Sequence, residues 1–170
     1  MNALSSITDS GSPNGSGHPC MADLIATHPF ARGLTRAQIE KIADFAMETE
    51  FARDEVIFRE GDPANRFYLL REGSVALESY VQDKGQMPVQ ILGPGEVLGW
   101  SWLFPPYYWH FDARAIQPVK AIFLYGTPLR ERCEEDYALG YQLLKRMSAI
   151  VVNRLQVTRR RLLECRRNGS

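Results

Sequence analysis

Hydrophobic spacing changes period twice along this chain of 170 residues. From His28 the apolar residues Leu34, Ile39, Ile42, Ala43, Phe45 and Ala46 recur at helical intervals, and Thr35 followed by Gln38 reads as a capping box opening that helix. Short apolar runs follow at Val56–Phe58, Phe67–Leu70, Val75–Leu77, Val89–Leu92 and Ala121–Leu124. Gly, Pro and Asp turns at Glu60–Pro63, Arg71–Gly73, Asp83–Gly85 and Gly93–Gly95 punctuate them, which predicts an antiparallel sandwich or barrel. From Pro128 the helical period returns, and after Gly140 neither Gly nor Pro interrupts it up to about Glu164. The fold expected is mainly β with flanking helices: an antiparallel β-roll (jelly roll) with a short N-terminal helix and a long C-terminal helix.

The 24 residues from Tyr141 to Glu164 span about 36 Å as a helix, more than a barrel of this size needs for cover. Tyr141, Ser148, Leu155 and Leu162 repeat every seven residues, interleaved with Leu144, Val151 and Thr158. That is a heptad seam with two polar members, and it predicts a homodimer. The domain boundaries expected are a disordered tail over 1–20, the N-terminal helix and β-roll over 21–127, the C-terminal helices with the seam over 128–165, and a basic end over 166–170.

Composition narrows the class. With 45% hydrophobic and 11% aromatic residues the chain can bury a substantial core. No apolar run approaches the roughly 20 residues of a membrane helix, and the first residues lack a secretory pattern, so a soluble cytoplasmic protein is expected. Cys20, Cys133 and Cys165 are unpatterned and read as idle thiols rather than metal ligands. The zero net charge conceals an asymmetry: residues 1–144 carry 12 Lys and Arg against 19 Asp and Glu, whereas 145–170 carry 8 against Glu164 alone. A basic end on an acidic body suits an anionic partner or pairing with its own body.

No catalytic or phosphate-loop motif is present, so no enzyme is expected. Glu131, Glu134, Glu135 and Asp136 read as carboxylates at a helix start, where they favour the dipole. The densest chemistry lies elsewhere. Seven of the twelve side chains from Trp100 to Phe111 are Trp, Tyr or Phe, and none is Lys or Arg.

Asp54–Asp62, Phe67–Val75 and Gly93–Glu96 together resemble the cyclic-nucleotide-binding domain, in the branch of the bacterial Crp/Fnr regulators, over residues 24–163. The resemblance implies a phosphate-binding cassette at Gly95, Glu96, Val97, Leu98, Gly99, Trp100 and Ser101. There the backbone amides of a short helix would meet a cyclic phosphate, as a helix N-terminus can. It also implies a ribose-binding Glu and a phosphate-binding Arg. Trp100 stands at the first position and Trp109 or His110 at the second, so both polar anchors are missing. Arg114 is the candidate substitute.

The function expected is therefore a non-enzymatic regulatory module that needs no cofactor and does not bind cyclic AMP or cyclic GMP in the usual way. Its aromatics either fill the pocket themselves or line it for an apolar or flat small-molecule effector. Two alternatives stand beside it: a true cyclic-nucleotide receptor using backbone amides and Arg114, and an accessory protein docking on a partner protein or nucleic acid through its basic C-terminal helix. Regulators of this family continue into a helix-turn-helix domain. This chain stops at Ser170, so sequence-specific DNA reading by it alone is not expected.

Overall fold

The computed structural model describes residues 19–168, so of the tail expected over 1–20 residues 1–18 lie outside the described residues, as do 169–170, while Cys20 is the N-cap of the first helix. Helix α1 (Met21–Thr27) and a 3-10 turn (Pro29–Ala31) precede α2 (Arg36–Ala43). The capping box of α2 forms as the sequence predicts: Gln38 N donates to Thr35 Oγ1 at 3.2 Å, and Thr35 N donates to Gln38 Oε1 at 3.0 Å. The helical reading runs too far, however. Phe45 and Ala46 leave the helix, and Ala46 begins the first strand.

Eight strands follow: β1 (Ala46–Phe51), β2 (Val56–Phe58), β3 (Arg66–Glu72), β4 (Val75–Val81), β5 (Gly85–Leu92), β6 (Val97–Leu98), β7 (Asp112–Ala115) and β8 (Val119–Tyr125). They form two four-stranded antiparallel sheets, ordered β1-β8-β3-β6 and β2-β7-β4-β5. The two sheets enclose one core, which holds Tyr68, Leu70, Val75, Leu77, Leu92 and Trp109. A second core lies between the β1-β8-β3-β6 sheet and the helices, where Phe67, Leu69, Ile122 and Leu124 meet Ile25, Phe30, Ile42 and Leu143. Successive side chains of a strand point to opposite faces. Where both faces are covered, at Phe67–Leu70 of β3 and Ala121–Leu124 of β8, the strands read as continuous apolar runs rather than alternating ones.

The C-terminal region is two helices, α3 (Gly126–Glu135) and α4 (Tyr137–Asn168), broken at Asp136. The acidic cluster is therefore not at a helix start. Glu131, Glu134 and Glu135 sit in the second half of α3, and Asp136 alone works as a cap. Its Oδ1 accepts from Leu139 N at 3.1 Å, while its Oδ2 pairs with Lys41 Nζ at 2.6 Å. Helix α4 buries Leu139, Leu143 and Met147 fully, then leaves the core, and Leu155, Leu162 and Leu163 are exposed. Among the described residues no helix is long and apolar enough to cross a membrane.

His28 locks the helical segment onto the barrel. Its Nδ1 accepts from Phe30 N at 3.2 Å, so its Nε2 carries the proton and donates to Leu70 O at 3.1 Å. Burial holds its pKa below the ordinary 6.5, with a smaller contribution from Arg71 outweighing nothing but adding to it, against the opposing pull of the Leu70 carbonyl. The unfolded chain thus takes up a proton at a pH where the folded chain does not. Stability from this site is full above about pH 6.5 and is lost as pH falls from there through the lower folded pKa. Thermal melts at stepped pH are expected to show this loss, and His28→Gln to flatten that part of the difference curve. An unchanged slope in the variant would remove His28 as its cause.

Candidate functional site

The loop that leads into the cassette is held by its own backbone. Gly95 N donates to Leu70 O at 2.8 Å, Leu70 N donates to Glu96 O at 3.0 Å, and the Glu96 carboxylate accepts from Gly93 N at 2.7 Å. Val97 and Leu98 then pair with Leu69 and Tyr68. At Gly99 the backbone takes φ +91°, and an added Cβ would lie 2.9 Å from two ring carbons of Trp109. Only glycine tolerates both the conformation and the contact.

Beyond Gly99 the short helix implied by the resemblance does not form. The segment runs as turns, with Leu103 N donating to Trp100 O at 3.4 Å and Phe104 N to Ser101 O at 3.3 Å. Pro105 and Pro106 contribute no N–H. The backbone amides that would meet a phosphate are therefore not arrayed at a helix N-terminus.

The three tryptophans go to three places. Trp102 is 0% exposed and stacks on Phe67 with ring centroids 4.8 Å apart, on the helix side of the sheet rather than in the cassette cavity. Trp109 is 3% exposed and stacks on Phe58 at 3.9 Å, inside the barrel. Trp100 is half-buried at the barrel mouth and stacks on His110 at 5.2 Å. Ser101 Oγ shares a hydrogen bond of 3.1 Å with His110 Nδ1. The indole N–H groups of Trp102 and Trp109 are sealed from solvent without an acceptor, so ring packing rather than polar anchoring fixes both. What remains beside Phe58, Leu77, Gly99, Trp100 and Trp109 is a cavity of about 10 Å³, space for about one water.

Arg114 is not brought to this cavity. Along β7, Ala113 and Ala115 enter the barrel core, so Arg114 lies on the outer face. There its Nε donates to Glu78 Oε2 at 3.1 Å and its Nη2 to Glu78 Oε1. A guanidinium forked on a buried carboxylate is committed to that pair.

The cation that does reach the barrel mouth is one the sequence reading did not single out. Arg154 of α4 lines the residual cavity, and its Nη2 donates to Val97 O. The signal was present: Leu143, Met147, Ile150 and Arg154 follow one stripe at helical spacing, and a charged residue on a core-facing stripe marks a site that needs it. Among the described residues no group of three or more His, Cys, Asp or Glu is placed to hold a metal. Burial, with smaller contributions from Asp136 and Glu134, pushes the Cys133 thiol up to about 11, so it stays protonated and unreactive at neutral pH.

The cyclic nucleotide-binding domain model matches residues 48–136, just over half the chain. A CRP-like cAMP-activated global transcriptional regulator of Mycobacterium tuberculosis is 24% identical over 144 residues, 85% of this chain. The chain spans only 62% of the length of that relative. A solved structure from Geobacter metallireducens, assigned as a cyclic nucleotide-binding protein, is 33% identical with TM-score 0.70 and covers 79% of this chain and 97% of its own. The regulatory subunit of a cAMP-independent protein kinase A from Trypanosoma brucei is 25% identical with TM-score 0.59, covering 73% of this chain and 44% of its own. With the two-sheet roll, the leading helices and the long closing helix all in place, the chain belongs to the cyclic nucleotide-binding domain family, in its Crp/Fnr-like form.

Proposed function

We propose that this chain is a non-catalytic regulatory module whose cyclic-nucleotide-binding fold no longer holds cyclic AMP or cyclic GMP in the usual way. One observation carries the reading: the barrel mouth retains about 10 Å³ between Trp100, Trp109, Phe58 and Leu77, which a ribose phosphate cannot enter. Charge points the same way, since Trp100 and Trp109 or His110 stand where the ribose and phosphate anchors would be, and Arg114 is forked onto Glu78. Two lost charge-assisted hydrogen bonds, at about 1.5–3 kcal/mol each, weaken binding by roughly a thousandfold. A regulatory role accords with the transcriptional regulator and the kinase regulatory subunit among the relatives, the latter named as independent of cAMP.

The module works as a homodimer through α4. Support comes from the seam itself: Tyr141, Leu144, Leu155 and Leu162 are exposed along one flank, with half-buried Ser148 and Val151 between them. An apolar stripe of that length left in water is unusual for a monomer. Calorimetric titration with cyclic AMP and with cyclic GMP tests the ligand half of the proposal. No saturable heat is expected with either nucleotide, and a dissociation constant in the low micromolar range would overturn it.

A further inference from the structure

Two arginines of α4 that lie eight residues apart do different work. Arg146 is used up by carbonyl groups: its Nε donates to Phe30 O at 2.9 Å, its Nη1 to Gln142 O and Oε1 at 2.9 and 2.8 Å, and its Nη2 to Arg32 O. It ties the 3-10 turn to the helix. Arg154 makes one hydrogen bond among the described residues, from Nη2 to Val97 O, and no carboxylate lies within ion-pair distance of it. Its Nε and Nη1 remain to donate. Burial pushes its pKa down to about 10 against an opposing pull from Glu96, so it is still cationic at neutral pH. A cation withdrawn from water without a carboxylate in direct contact favours an anion that can reach it.

Arg154 also lines a cavity of about 330 Å³ behind the cassette loop, together with Phe30, Glu96, Arg146, Ile150 and Asn153. The volume is at the lower end for small-molecule pockets, which run from about 300 to 1,000 Å³. Phe30 and Ile150 give it an apolar surface. Guanidinium groups outnumber carboxylates on its walls, where Glu96 is the one acid and already accepts from Gly93 N. At about 100° per residue, Arg146, Ala149 and Asn153 lie on the flank of α4 opposite Leu144, Val151 and Leu155. The cavity therefore stays open when two α4 helices pair through the seam.

We propose that this cavity binds a small amphipathic anion: an apolar or aromatic body resting on Phe30 and Ile150, with a single carboxylate or sulfonate paired with Arg154. A single negative charge suits the site better than a phosphate dianion, because Glu96 stands on the same wall. The site shares Arg154 with the barrel mouth but lies on the other side of Val97, against the leading helices rather than inside the barrel.

The test is a fluorescence titration of the full chain with 8-anilinonaphthalene-1-sulfonate, followed by displacement with decanoate and with decanol. Saturable binding, one probe per chain, is expected, and decanoate but not decanol should displace it. Arg154→Gln should weaken the probe at least tenfold. Ala149→Phe, which fills the cavity from an exposed position, should abolish binding while circular dichroism and melting temperature hold; Asn153→Phe blocks the same cavity should that variant fail to fold. Thr158→Phe narrows instead the cavity of about 210 Å³ on the seam flank, which Arg154 lines from its other side, and should leave probe binding unchanged. Absence of saturable binding, binding that survives both fillers of the Phe30–Arg154 cavity, loss on Thr158→Phe, or equal displacement by decanol would each overturn the proposal. Nucleotide calorimetry and light scattering test the barrel and the dimer separately, so failure here is distinguishable from failure there.

Discussion

Trp109→Ala is expected to lower the unfolding free energy by about 3–5 kcal/mol, the range for deleting a large aromatic from a core. The ring is 3% exposed, lies against Phe58 at 3.9 Å, and closes over Gly99, where even a methyl group would collide with it. Neighbours so placed cannot collapse into the space without moving β6, which Val97 and Leu98 hold to β3. Urea unfolding should show a lower midpoint with an unchanged slope. A loss under about 1 kcal/mol would mean that the ring does not pack as the structure has it. The variant also separates space from charge. Its enlarged cavity should still hold cyclic AMP only weakly, because no carboxylate stands at the ribose-anchor position and the one arginine lining it, Arg154, already donates to Val97 O.

How much of this was legible in the sequence depended on burial. Runs buried on both faces, such as Phe67–Leu70 and Ala121–Leu124, announced strands because nothing in them had to be polar. Strand β1 escaped notice: Ala46-Met47-Glu48-Thr49-Glu50-Phe51 is a sheet edge with half its side chains in water, and its apolar start continued the preceding helical spacing. Strands β6 and β7 were missed because two and four residues give a period of 2 too little length to register. The capping box at Thr35 was legible because it is a local device whose partners lie three residues apart. Arg114 was the reverse case. Its commitment to Glu78 spans 36 residues of sequence and depends on which face of β7 it takes, which no local pattern reveals. Trp102, one of the aromatics expected to fill or line the pocket, packs instead on Phe67 on the helix side of the sheet.

The seam carries the other large effect. Leu155 is 63% exposed and stands between Val151 and Leu162 on the flank of α4 that faces away from Arg146. Burying a leucine contributes about 1.5–3 kcal/mol, and in a symmetric dimer the gain comes twice. Leu155→Glu forfeits both gains and sets two carboxylates against each other near the axis. A fall of roughly a hundredfold to ten-thousandfold in dimer affinity is expected, since about 1.4 kcal/mol is tenfold. The fold of the single chain should be untouched, because Leu155 is no part of either core. Salt should act in the opposite sense to the variant. Arg159 is exposed next to the seam, whereas Arg160 faces away from it and Arg161 is drawn onto Val89 O, so Arg159 would repel its counterpart and the dimer should tighten as ionic strength rises. Light scattering across a dilution series reads both effects. A monomer at tens of micromolar in ordinary buffer, or a Leu155→Glu chain that stays dimeric at the parent's concentration, would remove α4 as the pairing surface.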